Sequence, residues 1–291
     1  MLEDIDNEDG ILGLEKTADT YRDRLPRGYL SVSQVTQFMK CGKAYEFRYL
    51  MEKPVPKNSY MAQGSAVHKA AEKLNEFIMF TAKAPPLEFV EDHYAAAHEE
   101  QFKTDVVIAE DDVSVGKIKD VGIDLVRTYY KGATGTYIDH DTKERMPGVY
   151  PTGVEKVVRK MLDPKDGSEP VPFMGVIDLT EPGRVIDFKT KRKKGGQAEA
   201  DNSLQLSIYA EFEDVPDVRI DQLVKPTKTM GSRYFRMSAK RTLEDRAHAI
   251  DIVANVARDV AAGRFPLTMP DNWWCTLDWC PYWSDCRGKK R

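Results

Sequence analysis

Residues 175–190 read GVIDLTEPGRVIDFKT, two runs of alternating apolar residues on either side of a Glu-Pro-Gly-Arg turn. Such a stretch reads as a β-hairpin. A buried hairpin constrains a fold strongly, because a slip of one residue would move every side chain to the opposite face. If Glu181–Arg184 is a symmetric turn, Leu179 faces Ile186 and Asp178 faces Asp187. Alternation then puts Ile177, Leu179, Ile186 and Phe188 on one face as a core surface, and Val176, Asp178, Asp187 and Lys189 on the other. Like charges directly opposite each other weaken a strand pair. The pattern is explained if a divalent cation sits between the carboxylates, and hard oxygen ligands suit Mg²⁺ or Mn²⁺. Lys189 is then placed to hold a water or to balance charge on a phosphoryl group. A solvent-facing hairpin whose charges have no such role accounts for the same letters.

The rest of the 291 residues supplies helices first and strands later. An acidic, flexible arm is expected over residues 1–30, followed by one domain over 31–291. Within that domain a helical part covers 31–150, a sheet 151–240, and a last helix with a cysteine-rich tail 241–291. Apolar spacing predicts helices over Ser31–Tyr49, Ala62–Phe80, Glu88–Lys103, Val113–Tyr130, Asn202–Phe212 and Thr242–Ala262. Strands are expected at Val154–Leu162, Phe173–Thr180, Arg184–Thr190, Val218–Lys225 and Arg233–Ser238, with a loop over Gly132–Tyr150. The fold class is α/β, a mixed central sheet flanked by helices. Glu155, early in the first strand, reads as an exposed strand glutamate, with a place in the acid site as the alternative.

The apolar runs are too short to span a membrane, and MLEDIDNEDG has none of the marks of a secretory signal, so a soluble, cytoplasmic protein is expected. The net charge of −4 does not mark a nucleic-acid binder, although KTKRKK at Lys189–Lys194 is a local basic patch. Four cysteines occur, Cys41, Cys275, Cys280 and Cys286, three of them in one short tail. In a reducing compartment this clustering favours a metal site over disulfides. All-thiolate coordination suits a [4Fe–4S] cluster or structural Zn²⁺. No G-x-x-x-x-G-K-[ST] loop is present, so the chain carries no nucleotide-driven motor of that type.

G-x-x-D followed by D-F-K-T resembles the catalytic core of the PD-(D/E)XK nuclease superfamily, with its restriction-endonuclease-like fold. GSAVHKAAE (Gly64–Glu72) and SLQLSIYA (Ser203–Ala210) resemble the histidine helix and the Q-x-x-x-Y helix of the RecB-like exonuclease branch. SVSQVTQFMKCGKAYEFRYL (Ser31–Leu50), with the C-terminal cysteine trio, is similar to the iron–sulfur members, including CRISPR-associated nucleases and phage exonucleases. The trio here is spaced C-x4-C-x5-C, where that branch usually begins C-x2-C.

The resemblance implies a Mg²⁺- or Mn²⁺-dependent deoxyribonuclease of the exonuclease type, with Asp178, Asp187, Lys189 and His68 as the catalytic set. The ion would be held by His68, Asp178, Asp187 and the Phe188 carbonyl. Gln205, Tyr209, Lys191 and Arg192 would contact DNA, and Cys41, Cys275, Cys280 and Cys286 would hold the iron–sulfur cluster. The implied partners are single-stranded or duplex DNA ends, with a helicase, recombinase or CRISPR integrase beside them. The implied setting is recombination, repair or phage DNA processing. Two other readings share these letters: a nuclease trimming CRISPR spacer precursors, and a non-catalytic, metal-stapled DNA-binding module.

Overall fold

The computed structural model describes residues 20–109 and 114–288. Its centre is one five-stranded sheet, made of β1 (Gly153–Leu162), β2 (Val171–Glu181), β3 (Arg184–Lys191), β4 (Asp217–Val224) and β5 (Arg233–Lys240), in that order across the sheet. β1, β2 and β3 pair antiparallel, β3 and β4 pair parallel, and β5 returns antiparallel to β4. The parallel pair requires a crossover. Residues 192–216 provide it, with a short turn α7 (Ala198–Asp201) and then α8 (Leu204–Glu213).

Ahead of the sheet come α1 (Tyr21–Arg24), α2 (Val32–Lys40), α3 (Gly42–Tyr45), a π-turn over Glu46–Leu50, α4 (Ser59–Thr81), α5 (Leu87–Gln101) and α6 (Val115–Ala133). After it come α9 (Leu243–Ala261) and α10 (Trp283–Arg287). Two apolar clusters flank the sheet. One packs α2, α8 and α9 against Phe173, Ile177, Val185, Val218 and Ile220. The other packs α4, α5 and α6 against Leu179, Ile186, Phe188, Leu223 and Tyr234. Such an arrangement is a restriction-endonuclease-like α/β core. Among the described residues no helix is long and apolar enough to cross a membrane.

The arm expected over residues 1–30 divides in two. Residues 1–19 lie outside the described ones, whereas residues 20–30 are packed: Tyr21, Leu25 and Leu30 are buried, and Leu30 bridges to Phe173. Arg24 pairs with Glu169 at 3.0 Å, and the Tyr21 N–H donates to the same carboxylate at 2.6 Å. Three buried side chains among these eleven residues, with the Glu169 contacts, dock the segment. The helix expected over Ser31–Tyr49 is broken at Cys41, which is extended (φ −168°, ψ 112°) and starts a new helix in a new direction. Ser31 caps the first piece, accepting from the Gln34 N–H. The helix expected from Ala62 starts one turn earlier, where Asn58 accepts from the Met61 N–H at 3.0 Å.

The hairpin register is as expected where the turn dictates it: Glu181 faces Arg184, Thr180 faces Val185 and Leu179 faces Ile186. Pro182 and Gly183 (φ +71°) form its two-residue turn. Arg219 of β4, buried, ties down this end by pairing with Glu181 at 2.9 Å and Asp221 at 2.6 Å. Beyond Leu179–Ile186 the ladder stops. Ile177, expected on the face of Leu179, belongs instead to the opposite cluster. The strands part at Asp178, and there the candidate site opens.

Candidate active site

Asp178 stands on β2 where main-chain pairing ends, and its Oδ2 accepts the Phe188 backbone N–H at 2.7 Å. A side chain thus takes the place of the missing ladder partner. Asp187 on β3 is 2 % exposed. Its carboxylate accepts from Lys189 Nζ (3.0 Å to Oδ1, 2.9 Å to Oδ2) and from Gln205 Nε2 at 2.8 Å. Burial pushes the Asp187 carboxyl above its ordinary range; the Lys189 ammonium opposes this and the Asp178 charge adds to it.

His68 reaches in from α4. Its Nδ1 lies 3.9 Å from Asp178 Oδ2, and its ring meets Phe188 edge-on at 6.1 Å. Burial lowers its basicity, and the Asp178 charge partly offsets that. A neutral imidazole beside two carboxylates and a main-chain carbonyl is a donor set for a hard or borderline divalent ion. The cleft is lined by Gly64, Ser65, His68, Lys69, Glu72, Glu155 and Asp178, with about 640 Å³ of open space.

Glu155 is the residue the sequence reading undervalued. Its neighbours Val154 and Lys156 pair with Leu179 and Ile177, which leaves Glu155 near Asp178 at the one position of the β1–β2 ladder where no pair forms. It is part-buried, with φ +46°, a left-handed conformation that a glutamate adopts only at a cost. Burial raises its carboxyl to about 7, and the charges of Asp178 and Glu72 push the same way. Glu72 was also missed as a site residue, although it lies one turn beyond His68 on the same face of α4. The signal for Glu155 was a further acid close to Asp178. It becomes visible only once the β1–β2 register is known.

The acids are therefore crowded and desolvated. This is unfavourable alone and is relieved by a cation among them. The donor types fit a divalent metal. Among the described residues, however, no three His, Cys, Asp or Glu side chains already stand in an arrangement that could hold one.

Gln205 and Tyr209, expected as strand contacts, each make contacts within the fold. Gln205 bonds both Asp187 and Lys189 (Oε1 3.4 Å from Nζ) and so braces that pair. Tyr209 is 4 % exposed and packs over Gly175, where a Cβ would come 2.8 Å from its ring. The glycine of G-x-x-D thus makes room for the tyrosine of Q-x-x-x-Y, and the tyrosine has no surface left for a nucleic acid. The basic run is also dispersed: Lys189 turns to Asp187, Lys191 to Glu199 and Lys194 to Asp141, while Arg192 lies against Tyr60.

The four cysteines converge from both ends of the chain. Cys41 at the break after α2 and Cys275, Cys280 and Cys286 of the tail line one cavity of about 60 Å³. Burial raises the Cys280 thiol, and the other three cysteines add to the shift. Trp274 Nε1 donates to the Lys40 carbonyl at 3.2 Å, Tyr282 Oη to the Lys53 carbonyl at 3.2 Å, and Lys53 pairs with Asp285.

The parallel–antiparallel sheet, the parted hairpin with its two aspartates and lysine, and the histidine helix together define a restriction-endonuclease-like hydrolase core. A model of the PD-(D/E)XK nuclease superfamily matches residues 29–287, and the chain belongs to that superfamily. No curated protein matches the chain. Among six matching solved structures, an exonuclease candidate of Eubacterium rectale aligns over 96 % of both chains, with 11 % identity and a TM-score of 0.47. The crystal structure of SSO0001 aligns over 89 % of this chain and 96 % of its own, with 13 % identity and a TM-score of 0.37.

Proposed function

We propose that this nuclease is a divalent-metal-dependent DNA exonuclease, cutting phosphodiester bonds at DNA ends. The observation that carries the reading is the buried Asp187 held by the half-buried Lys189 and Gln205, beside Asp178 and His68, at the point where β2 and β3 part. A charged lysine tied to a desolvated aspartate has no packing role that an apolar pair would not fill better.

His68, Asp178, Asp187 and the Phe188 carbonyl are the residues that would hold Mg²⁺ or Mn²⁺, with Glu155 as a further acid. When bound, the ion supplies Lewis-acid polarisation of the phosphoryl oxygen and a more acidic attacking water. The residues of the chain do the rest. Gln205 and Asp187 hold the Lys189 ammonium in one orientation, where it offsets charge developing on the phosphoryl group. Tyr209, by packing on Gly175, fixes α8 and so fixes Gln205. The likeness of the histidine and Q-x-x-x-Y motifs to the RecB-like branch supports action at ends, and recombination, repair or phage DNA processing as the setting.

We further propose that Cys41, Cys275, Cys280 and Cys286 hold a [4Fe–4S] cluster of structural role. What supports this is that four thiols, the donors a four-thiolate group needs, line one cavity, although no three of them already stand in a ligating arrangement.

The deciding assay compares end-labelled linear DNA with covalently closed circles, in Mg²⁺ or Mn²⁺, for wild type and Asp178→Asn. Metal-dependent loss of linear DNA only, abolished in the variant, is expected. Equal activity in both proteins overturns the assignment of the site, and cutting of circles overturns exonuclease action. Iron and sulfide content after anaerobic purification tests the cluster; colourless protein with stoichiometric zinc overturns it.

A further inference from the structure

Tyr60 lies one turn before Gly64 and two turns before His68, so the three share a face of α4. At about 1.5 Å per residue, Tyr60 is roughly 12 Å from His68 along the helix. β3 leads to the same place from Asp187. Arg192 follows the strand directly, with its guanidinium carbon 5.9 Å from the Tyr60 ring centre and Nη1 3.4 Å from the hydroxyl. Lys225 follows β4 directly; its Nζ lies 4.8 Å from the same ring centre, and its N–H donates to the Lys191 carbonyl at 2.8 Å. Five strand residues from Asp187 to Arg192 span about 16 Å. Two paths out of the acid cluster thus end on one aromatic ring flanked by two cations.

Gly64 lies on the helical path, on the cleft itself. A Cβ there would meet no protein atom within 4 Å, and its φ is not positive. Neither packing nor backbone conformation calls for a glycine that costs a helix interior about 1 kcal/mol. Close approach of a ligand backbone remains as its use.

We propose that Tyr60, Arg192 and Lys225 form a nucleotide subsite, reached from the acid cluster over the bare floor at Gly64. A base stacks on Tyr60, and the adjoining phosphates meet Arg192 and Lys225. This rests on the reading above that the enzyme acts on a DNA strand. At about 3.4 Å per stacked nucleotide, the subsite lies no more than about four nucleotides from the scissile phosphate. The same contacts serving only to staple the start of α4 to the sheet is the competing role.

The test is binding, read by fluorescence anisotropy without added divalent metal. A labelled single-stranded oligonucleotide carries one abasic residue walked along its length, against wild type, Tyr60→Ala and Tyr60→Phe. In wild type one abasic position should weaken binding about tenfold. In Tyr60→Ala the intact strand should bind about tenfold more weakly, and that abasic position should add nothing further, while Tyr60→Phe should behave as wild type. Lys225→Gln should weaken all sequences alike and lower the log–log salt slope by about 0.7. Abasic penalties that are the same in wild type and Tyr60→Ala overturn the subsite, as does wild type that binds no oligonucleotide. Wild type that binds but degrades nothing with Mg²⁺ or Mn²⁺ overturns the nuclease reading instead, and the abasic comparison still decides the subsite.

Discussion

Glu155 holds a left-handed backbone (φ +46°) and shares the cleft with the Asp178 charge, two unfavourable features at one position. Glu155→Gly removes both the strain and the crowded charge, so it should stabilise the fold by about 1 kcal/mol, a rise of roughly 2–4 °C in melting temperature. Nuclease activity should fall at the same time, as expected where a strained residue serves a site. A variant that melts lower, or that melts higher with activity intact, counts against a role for this residue. Lys189 gives a second residue-scale prediction. Lys189→Met should lower kcat by about 10²–10³-fold, the usual loss of a preorganised charge at a reacting group. Affinity for a DNA oligonucleotide should change little, so the paired measurement of kcat and Kd checks it.

Between β2 and α8 the contact is Gly175 against Tyr209, and it converts two separated motifs into one packing unit. Gly175→Ala places a methyl 2.8 Å from a buried ring that has no room to withdraw. The expected loss is about 1–3 kcal/mol, measured by denaturant unfolding, with partial recovery on adding Tyr209→Leu. A second element-scale prediction concerns α5. His98 is buried, stacks on Phe102 at 4.5 Å, and has an Nε2 with no hydrogen-bond partner. Burial lowers its basicity, and Lys119 adds to this. The unfolded chain therefore binds the proton more readily, near the ordinary value of about 6.5. Stability from this group is complete above that value and is lost as pH falls through the lower folded value. His98→Phe should flatten the acid limb of stability against pH; an unchanged limb would assign the slope to other groups.

Across the whole molecule, the cysteine cavity joins segments far apart in sequence, as the Trp274–Lys40 hydrogen bond over 234 positions shows. A cross-link of that span restricts the unfolded chain by about 5 kcal/mol. If the proposed cluster is the cross-link, Cys41→Ser should lower the unfolding temperature markedly and remove the visible absorbance that such a cluster would give. It should leave the five-stranded sheet folded at low temperature, because the two apolar clusters on its faces do not depend on the tail. Thermal melts followed both by circular dichroism and by absorbance would check each part.

The letters alone carried the local facts: the strands and most of the longer helices, the turn at Pro182–Gly183, and the pairing of Leu179 with Ile186. These are written in alternation, capping and turn chemistry, which act over a few residues. The letters also carried the candidate cysteines, since clustering in a short tail is visible in them. It took packing between distant segments to part β2 and β3 at Asp178, to bring Glu155 into the same cleft, to bury Tyr209 over Gly175, and to disperse KTKRKK to four partners. Each depends on contacts between segments separated by loops of unpredictable register. Helix α4 in particular, continuous from Tyr60 to His68, acquires its meaning only where β3 and β4 end beside it. Local spacing sets which face a residue takes; packing across the sheet sets what that face meets.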